Sequence, residues 1–203
     1  MTLYQPPKLL RLLCPAVYQI EDEAPAVYLT FDDGPCEYTT MSILDILEKY
    51  GVKATFFCVG DNVIKHPDLF ARIVAEGHQI GNHTMHHSNG LYTNTNDYIN
   101  EIDECAAFAR NNLFRPPYGM ITPRQNAMLR NKGYKIILWD VITYDWDCGH
   151  SNEDILKIVQ KYTRNGSIIV MHDSKKAAPR TLQILEDIII WLKAEGYELK
   201  TLA

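Results

Sequence analysis

The amino-acid sequence predicts an α/β fold in which helices alternate with parallel strands, as a small or incomplete barrel rather than an open sheet. Amphipathic helical segments alternate with short apolar segments of the kind that form buried strands. Glycine follows the end of most helical segments and proline stands at the start of several, as is usual at helix boundaries. About seven such units fit into the 203 residues. The sequence does not decide whether the barrel closes.

The predicted strands are short apolar segments, each of which leads into a polar loop. In chain order they cover residues 27–31, 54–58, 79–82, 113–115, 134–139, 167–170 and 197–200. Strands that alternate with helices imply a parallel sheet with the helices outside it.

Each predicted helix has its own boundary signals. The first, over residues 39–50, places Ile43, Leu44 and Leu47 on one face and ends at Gly51. The others run from Pro67 to Gly77, from Asp97 to Asn111, from Thr122-Pro123 to Gly133, from Ser151 to about Gly166, and from Arg180 to Glu195 before Gly196. Ser151 with Asp154 resembles a capping box.

The composition fits one globular domain over residues 1–203. Apolar residues make up 46% of the chain and charged residues 22%, and the length stays below the roughly 250–300 residues at which cores divide. Residues 1–25 are expected to form an N-terminal extension packed on the domain, with the leucines of residues 9–13 in a short helix.

Charge and cysteine content limit the partners and the compartment. The net charge is −5 without a cluster of lysine or arginine, which argues against nucleic acid as a partner. No apolar run approaches the roughly 20 residues of a transmembrane helix. Lys8 and Arg11 interrupt the apolar stretch near the start, so no signal peptide is recognised. The five cysteines, without a CxxC pair, indicate free thiols in a reducing compartment. A cytoplasmic location is therefore expected, with export by another route as the alternative, and the oligomeric state is left open.

Side chains with catalytic chemistry follow the ends of the predicted strands. In barrels of alternating strands and helices, active sites lie at the carboxyl ends of the strands. The residues at those ends are Asp32-Asp33, then His83, His86 and His87, then Arg115 to Gly119, then Asp140, Asp145 and Trp146, and last His172-Asp173. The sequence therefore predicts one site on one face.

Two adjacent carboxylates and a histidine pair indicate a divalent metal. Asp32 and Asp33 precede a glycine-proline turn, where one carboxylate could bind a metal and the other accept a proton from water. An Asx turn or a helix cap is the structural alternative. His83 and His87 are four residues apart, so on one helical turn their rings would share a face, although His83 with His86 would also serve. A histidine pair with a carboxylate is typical of an open Zn²⁺ site.

His172 and Arg115 have less specific signals. His172 directly follows an apolar strand, where it is either a general acid or base or a histidine satisfied within the core. Arg115 stands before two prolines, where it orients a carboxylate, binds an anionic group, or belongs to a rigid surface turn.

Together these segments resemble the polysaccharide deacetylase family, the NodB-homology domains of carbohydrate esterase family four. The matching segments are Thr30-Phe-Asp-Asp-Gly-Pro35, His83-Thr-Met-His-His87, Arg115-Pro-Pro-Tyr-Gly119, Trp139 through Asp145-Trp146, and Val170-Met-His172. They follow the family's order and extend over nearly the whole chain. The resemblance implies a distorted (β/α) barrel with about seven strands.

The resemblance also implies a metal centre. Asp33, His83 and His87 would hold a divalent ion, which in this family is usually zinc, cobalt or nickel. Asp32 would take a proton from the attacking water, and Arg115 would hold Asp32 in position.

The remaining implied roles concern the substrate. The backbone N–H of Tyr118 would help to stabilise the oxyanion, and His172 would protonate the departing amine. The substrate pocket would be lined by Pro116, Asp145, Trp146 and Val170.

The activity implied is the metal-dependent removal of acetyl groups from glycans that contain N-acetylglucosamine. The family also includes O-deacetylases such as acetyl-xylan esterases, and a catalytically idle carbohydrate-binding homologue is the third alternative. Ile142 occupies a position where family members commonly carry an aspartate that supports the acid histidine. Asp140, Asp145 and Asp173 are the candidates to replace that aspartate.

Overall fold

A computed structural model describes residues 4–109 and 111–203, in which helices surround a curled sheet of parallel strands. The strands are β1 (Ala26–Asp32), β2 (Thr55–Cys58), β3 (Gln79–Asn82), β4 (Leu113–Phe114), β5 (Lys135–Ile136), β6 (Val141–Ile142), β7 (Ile168–His172) and β8 (Glu198–Lys200). The helices are α1 (Lys8–Leu13), α2 (Thr40–Lys49), α3 (Gly60–Lys65), α4 (Pro67–Ala75), α5 (Thr95–Cys105), α6 (Pro123–Asn131), α7 (Asn152–Tyr162) and α8 (Ala178–Ala194), with a 3₁₀ turn at Pro117–Gly119.

Strand β1 lies at the centre of the sheet, whose order is β5-β4-β3-β2-β1-β7-β6. One edge of β1 pairs with β7 along residues 28–32. The other edge pairs with β8 through residues 26–28 and with β2 through residues 30–32. These pairings are all parallel, so the loops that follow the strands gather at one edge of the sheet. The prediction of about seven parallel strands in a distorted, incomplete barrel is confirmed.

One bent segment, residues 135–142, connects the two edges of the curled sheet. It contains both β5 and β6, which lie at opposite ends of the strand order. The Ile137 N–H donates to the Phe114 carbonyl at 2.8 Å, and the Asp140 N–H donates to the Ile168 carbonyl at 3.0 Å. Because the chain changes its partner strand here, the strand predicted over 134–139 is reduced to β5, and β6 follows beyond its predicted end.

Two helices differ most from the sequence prediction. Helix α3 has no capping signal in the sequence, because Val59 at its N-cap makes no side-chain hydrogen bond. Helix α5 begins two residues before the predicted start at 97, because the Asn94 side chain accepts a hydrogen bond from the Asn96 N–H. The same helix ends at Cys105 rather than near residue 111.

Strand β1 runs through the hydrophobic core, and each of its residues is buried. The predicted apolar face of α2 packs in the same core, where Ile43, Leu44 and Leu47 are fully buried. Burying one such side chain contributes roughly 1.5–3 kcal/mol. This packing fixes the carboxyl end of β1, whose last residue is Asp32.

The N-terminal segment before β1 forms the short helix expected there, but three leucines of that helix face solvent. Leu9, Leu12 and Leu13 are 69%, 79% and 70% exposed, so the expectation that they pack on the domain is wrong. The segment is attached elsewhere, for example by a parallel bridge between Val17 and Ile137. Among the residues described, no helix is long and apolar enough to cross a membrane.

Candidate active site

A pocket of about 530 Å³ opens at the carboxyl edge of the sheet. The structure brings most of the predicted site residues into its lining: Asp32, Asp33, His83, His87, Pro116, Tyr118, Trp146, Val170 and His172. Arg115 and Asp145 are fully buried, and each contacts one of these lining residues from behind.

Asp33, His83 and His87 converge in this pocket. Their ligand atoms lie within 4.8 Å of one another. Oδ1 of Asp33 lies 3.0 Å from Nε2 of His87 and 3.7 Å from Nε2 of His83. Donor atoms about 2.1 Å from a tetrahedral metal ion are about 3.4 Å apart, so this spacing fits one ion. His86, the alternative ligand, instead places its Nδ1 at 2.8 Å from Oε1 of Glu101.

Hydrogen bonds orient both imidazoles toward Asp33. Nδ1 of His83 donates to the Arg115 carbonyl at 2.7 Å, which leaves Nε2 of His83 facing Asp33 as the nitrogen that could bind a metal ion. Nδ1 of His87 lies 3.2 Å from the Tyr118 hydroxyl. Burial tends to raise the pKa of Asp33, but hydrogen bonds with His83 and His87 hold that pKa well below its usual value. Two imidazoles and one carboxylate suit Zn²⁺ or a similar ion, with positions left for water and substrate.

Residues 83–87 form a loop, and the prediction that the two histidines share a face of a helix is wrong. Thr84 and His87 have φ angles of 65° and 59°, which a right-handed helix does not contain. The Thr84 N–H donates to Oδ1 of Asn82 at 2.9 Å, and Oγ1 of Thr84 accepts from the Ser88 N–H at 3.0 Å. This loop still brings the two imidazole centroids to 5.1 Å.

Asp32 and Arg115 form a buried ion pair beside the candidate metal ligands. Nη1 of Arg115 donates to Oδ1 of Asp32 at 2.6 Å and to Oγ1 of Thr30 at 2.8 Å. Nη2 of Arg115 donates to the Leu138 carbonyl at 3.1 Å, and the guanidinium lies 4.1 Å from the Phe57 ring centroid. Since Arg115 is fully buried, it orients a carboxylate and belongs to no surface turn.

His172 is held by Asp145. Nδ1 of His172 donates to Oδ1 of Asp145 at 2.8 Å, while Oδ2 of Asp145 accepts from the His172 backbone N–H and from the Thr181 hydroxyl, both at 2.7 Å. Burial tends to lower the pKa of His172, but the carboxylates of Asp145, Asp33 and Asp32 raise it to about 9. The imidazole is therefore protonated at neutral pH, with Nε2 as the nitrogen available to the pocket.

Asp145 supports His172, and its assignment to the pocket lining is wrong. The side chain is fully buried behind His172. The turn at Tyr144, with a φ of 59°, precedes Asp145 and redirects the chain. The aspartate absent at Ile142 is therefore not needed to hold His172, and Ile142 instead contributes apolar surface to the pocket.

The other two candidates to support His172 have different partners. Asp140 is fully buried and accepts hydrogen bonds from Arg11 at 2.6 Å and from Arg164 at 2.7 Å. Asp173 accepts a hydrogen bond from the Thr40 hydroxyl at 2.7 Å. Both carboxylates therefore hold parts of the fold together.

The pocket wall next to His172 is apolar. Trp146 meets the His172 ring edge-on, with centroids 4.5 Å apart, and Val170 and Pro116 belong to the same lining. Tyr118 lies at the mouth of the pocket, where it is 60% exposed and has a φ of 60°.

Trp139, Tyr144, Ser174 and Lys176 also line the pocket, although they are not among the site residues predicted from the sequence. Trp139 and Tyr144 stand in the segment that leads to Asp145. Two further aromatic residues so close to a predicted site were the available signal. No sequence signal marks Ser174 and Lys176 as site residues, because polar residues in a loop are common.

Comparison with known proteins relates this geometry to a family. The sequence pattern described as polysaccharide deacetylase matches residues 19–137. The chain is 38% identical over 171 residues to a peptidoglycan-N-acetylglucosamine deacetylase of Bacillus cereus, covering 80% of this chain and 62% of that protein. It is 37% identical over 146 residues to chitin deacetylase 2 of Saccharomyces cerevisiae, covering 66% of this chain and 46% of that protein. The chain thus spans less than two thirds of either relative.

The fold agrees with the sequence match. The Bc1960 peptidoglycan N-acetylglucosamine deacetylase, solved in complex with 4-naphthalen-1-yl-N-oxidanyl-benzamide, superimposes with a TM-score of 0.89 and 34% identity, over 97% of this chain and 95% of that chain. The segment that matches the family pattern contains Asp32, Asp33, His83, His87 and Arg115. This chain therefore belongs to the polysaccharide deacetylase family.

Proposed function

We propose that the chain is a divalent-metal-dependent deacetylase that hydrolyses the acetamide of N-acetylglucosamine units in an oligosaccharide or polysaccharide. The observation that carries this proposal is the grouping of three functions around one pocket. Asp33, His83 and His87 form the metal-ligand set, Asp32 lies beside them, and His172 is the register partner of Asp32 on the neighbouring strand. A base and an acid therefore flank the position where the acetyl carbonyl would lie.

The metal ligands and Asp32 would prepare the attack by water. Asp33, His83 and His87 would hold the ion, which when bound polarises the acetyl carbonyl and makes water a better nucleophile at neutral pH. Asp32 would accept a proton from that water as a general base. Arg115 occupies Oδ1 of Asp32, so the second carboxylate oxygen remains for the proton.

His172 would complete the reaction by protonating the departing nitrogen. An amine leaves the tetrahedral carbon readily only when its nitrogen is protonated. The Asp145 carboxylate raises the pKa of His172 and so favours the acid form, and it fixes the ring so that the Nε2–H faces the pocket. The Tyr118 backbone N–H is the proposed oxyanion donor, and loss of one such donor typically costs about 10²–10³ in rate.

Two features support an N-acetylated sugar as the substrate. The relatives of Bacillus cereus and Saccharomyces cerevisiae described above are named as deacetylases of peptidoglycan N-acetylglucosamine and of chitin. The pocket places the aromatic surfaces of Trp139, Tyr144 and Trp146 beside its ionisable groups, and apolar walls with convergent polar groups are usual in a site for a small organic ring.

Acetate release from a panel of glycans tests this function. The panel comprises N-acetylglucosamine oligomers, peptidoglycan fragments and acetyl-xylan, each incubated with EDTA-stripped protein and again after addition of Zn²⁺ or Co²⁺. We expect no release from the stripped protein, recovery with metal, and faster release from amides than from the ester. Faster release from acetyl-xylan would make the protein an O-deacetylase. Stoichiometric metal binding without release from any substrate would contradict the hydrolase and indicate an idle homologue.

We further propose zinc as the resident ion and a reducing compartment as the location. The donor set is typical of zinc, although cobalt and nickel accept the same ligands. The free thiols of Cys14, Cys36, Cys58, Cys105 and Cys148 support the second proposal. Metal analysis of protein purified without added metal tests the first proposal, and another dominant metal would contradict it. Fractionation of the producing cells tests the second proposal, and protein recovered outside the cytoplasm would contradict it.

A further inference from the structure

The N-terminal segment joins the two ends of the bent segment. The Val17 N–H donates to the Ile136 carbonyl, and the Val17 carbonyl accepts from the Leu138 N–H, both at 2.8 Å. At the other end, the Tyr4 carbonyl accepts from the Ile142 N–H at 3.0 Å. The N-terminal segment therefore supplies hydrogen-bond partners to backbone groups of β5 and β6, which are the two ends of the strand order.

A buried carboxylate anchors the middle of the N-terminal segment. Nη2 of Arg11 donates to Oδ1 of Asp140 at 2.6 Å, and Asp140 also accepts from Arg164 and Ser167. Asp140 is fully buried, and a buried charge that loses a partner is costly. The position of the N-terminal segment is therefore specified even though Leu9, Leu12 and Leu13 of α1 are exposed.

A row of aromatic rings continues from Tyr4 to His172. Tyr4 meets Tyr144 edge-on with centroids 5.5 Å apart, Tyr144 lies 4.9 Å from Trp146, and Trp146 meets His172 edge-on at 4.5 Å. The Tyr4 hydroxyl lies 3.2 Å from Nε2 of His150, whose ring stacks on Tyr144 at 5.4 Å. Each ring in this row thus limits the movement of the next.

We propose that Tyr4 is a positioning residue for the deacetylation reaction. Its carbonyl fixes Ile142 and its ring fixes Tyr144, and through Tyr144 and Trp146 it restrains the imidazole of His172. Tyr4 itself lies behind the pocket wall and would act only through these neighbours. The inference rests on the proposed function, because it assigns Tyr4 to the same pocket. A displacement of about 1 Å in a reacting group can lower the rate about 10²-fold.

Substitution of Tyr4 tests the proposal. With metal restored, we expect Tyr4→Ala to lower kcat by about tenfold or more, with a smaller change in KM, because Tyr144 and Trp146 no longer restrain the His172 ring on its open side. Tyr4→Phe keeps the ring contacts and loses only the hydroxyl, so it should retain most of the activity. Leu12→Ala is the matched control, since Leu12 lies in the same N-terminal segment but is 79% exposed.

Two readouts separate positioning from a general loss of structure. The ring-nitrogen NMR signals of His172 should shift in Tyr4→Ala and stay unchanged in Tyr4→Phe and Leu12→Ala. The affinity for Zn²⁺ should be equal in all variants, because the metal ligands lie outside the aromatic row. If Tyr4→Ala does not fold, Tyr4→Leu takes its place, since leucine fills the volume without an aromatic ring.

Two results would overturn the proposal. One is a Tyr4→Ala variant with unchanged kcat and unchanged His172 signals. The other is an equal loss of kcat in Tyr4→Phe, because the ring would then not be the determinant. If the wild-type protein releases no acetate, the proposed function fails, and the His172 signals alone decide whether Tyr4 restrains that imidazole.

Discussion

Each of the two proposed proton-transfer groups, Asp32 and His172, has one buried charged partner. Arg115 donates to Asp32 at 2.6 Å, and Asp145 accepts from His172 at 2.8 Å. A buried ion pair adds little net stability, because desolvation offsets the attraction, whereas removal of one partner costs roughly 3–5 kcal/mol since the other charge stays buried. The value of these two pairs therefore lies in the orientation of Asp32 and in the protonation of His172.

Replacement of Asp145 should change the pH dependence of the reaction. The Asp145 carboxylate favours the protonated form of His172, whose pKa is raised to about 9. Asp145→Asn removes that charge, so less of the acid form is present at a given pH. We expect the alkaline limb of kcat to move to lower pH and kcat at pH 8 to fall by at least about tenfold. The measurement is a pH–rate profile at saturating metal.

Asp140→Asn is the matched control for this profile. Asp140 is a buried carboxylate only five positions earlier, and its hydrogen bonds go to Arg11 and Arg164. An alkaline limb that stays in place in Asp145→Asn, or that moves equally in Asp140→Asn, would show that Asp145 does not set the protonation of His172.

The pair of Asp145 and His172 should also make the stability of the metal-free protein depend on pH. The pKa of His172 is about 9 in the folded state, above the value of 6.5 for an unperturbed histidine. The stability that this difference contributes is fully present below about pH 6.5 and is lost as the pH rises through 9. Urea unfolding at several pH values should show this loss in the wild type and much less of it in Asp145→Asn. Parallel pH dependence in the two proteins would contradict the assignment.

At the scale of elements, the loops after the parallel strands form the site. Residues directly after a strand could be assigned to the site from sequence, as for Asp32, Arg115 and His172, because parallel strands end at one edge. The conformations of the loops could not be predicted from the sequence. The turns that place His87 and Asp145 require positive φ angles at Thr84 and Tyr144, which tertiary contacts impose against the local preference of these residue types.

Gly34 should be required for the turn that carries Asp33. A Cβ at this position would lie 1.8 Å from Oδ2 of the buried Asp173. The Asp173 carboxylate is held by the Thr40 hydroxyl, so we expect the turn after β1 to move, together with Asp33. We expect Gly34→Ala to lower the affinity for Zn²⁺ by about 10-fold to 100-fold, as for loss of other supports of metal ligands. Competition with a chelating dye measures this affinity.

Gly77→Ala is the control for Gly34→Ala. Gly77 has a φ of 78°, and a Cβ added there would meet no heavy atom within 4 Å. Alanine there should cost about 1–2 kcal/mol of stability through backbone strain and leave the affinity for Zn²⁺ unchanged. Equal affinities in the two variants would show that the turn tolerates a side chain at Gly34.

At the scale of the whole molecule, the fold class follows from the alternation of helices and strands, but the closure of the barrel does not. The apolar run of residues 134–139 is equally consistent with one strand or with a segment that serves two edges, because both bury the same side chains. The leucines of residues 9–13 are a different case, because an apolar side chain on a short helix can be exposed as well as buried, and the sequence does not distinguish the two. The capping box predicted at Ser151 forms, because it depends only on local geometry. A second one, which was not predicted, forms between Thr122 and Gln125.

The proposed mechanism assigns metal binding and proton abstraction to different, neighbouring residues of one pocket. The direct measurement is acetate release from N-acetylglucosamine oligomers by the wild type and by Asp32→Asn, with the metal content of each protein determined. We expect both proteins to hold one ion per chain, and Asp32→Asn to release acetate at least about 10²-fold more slowly. Equal rates in the two proteins, or no release by the metal-loaded wild type, would contradict this mechanism.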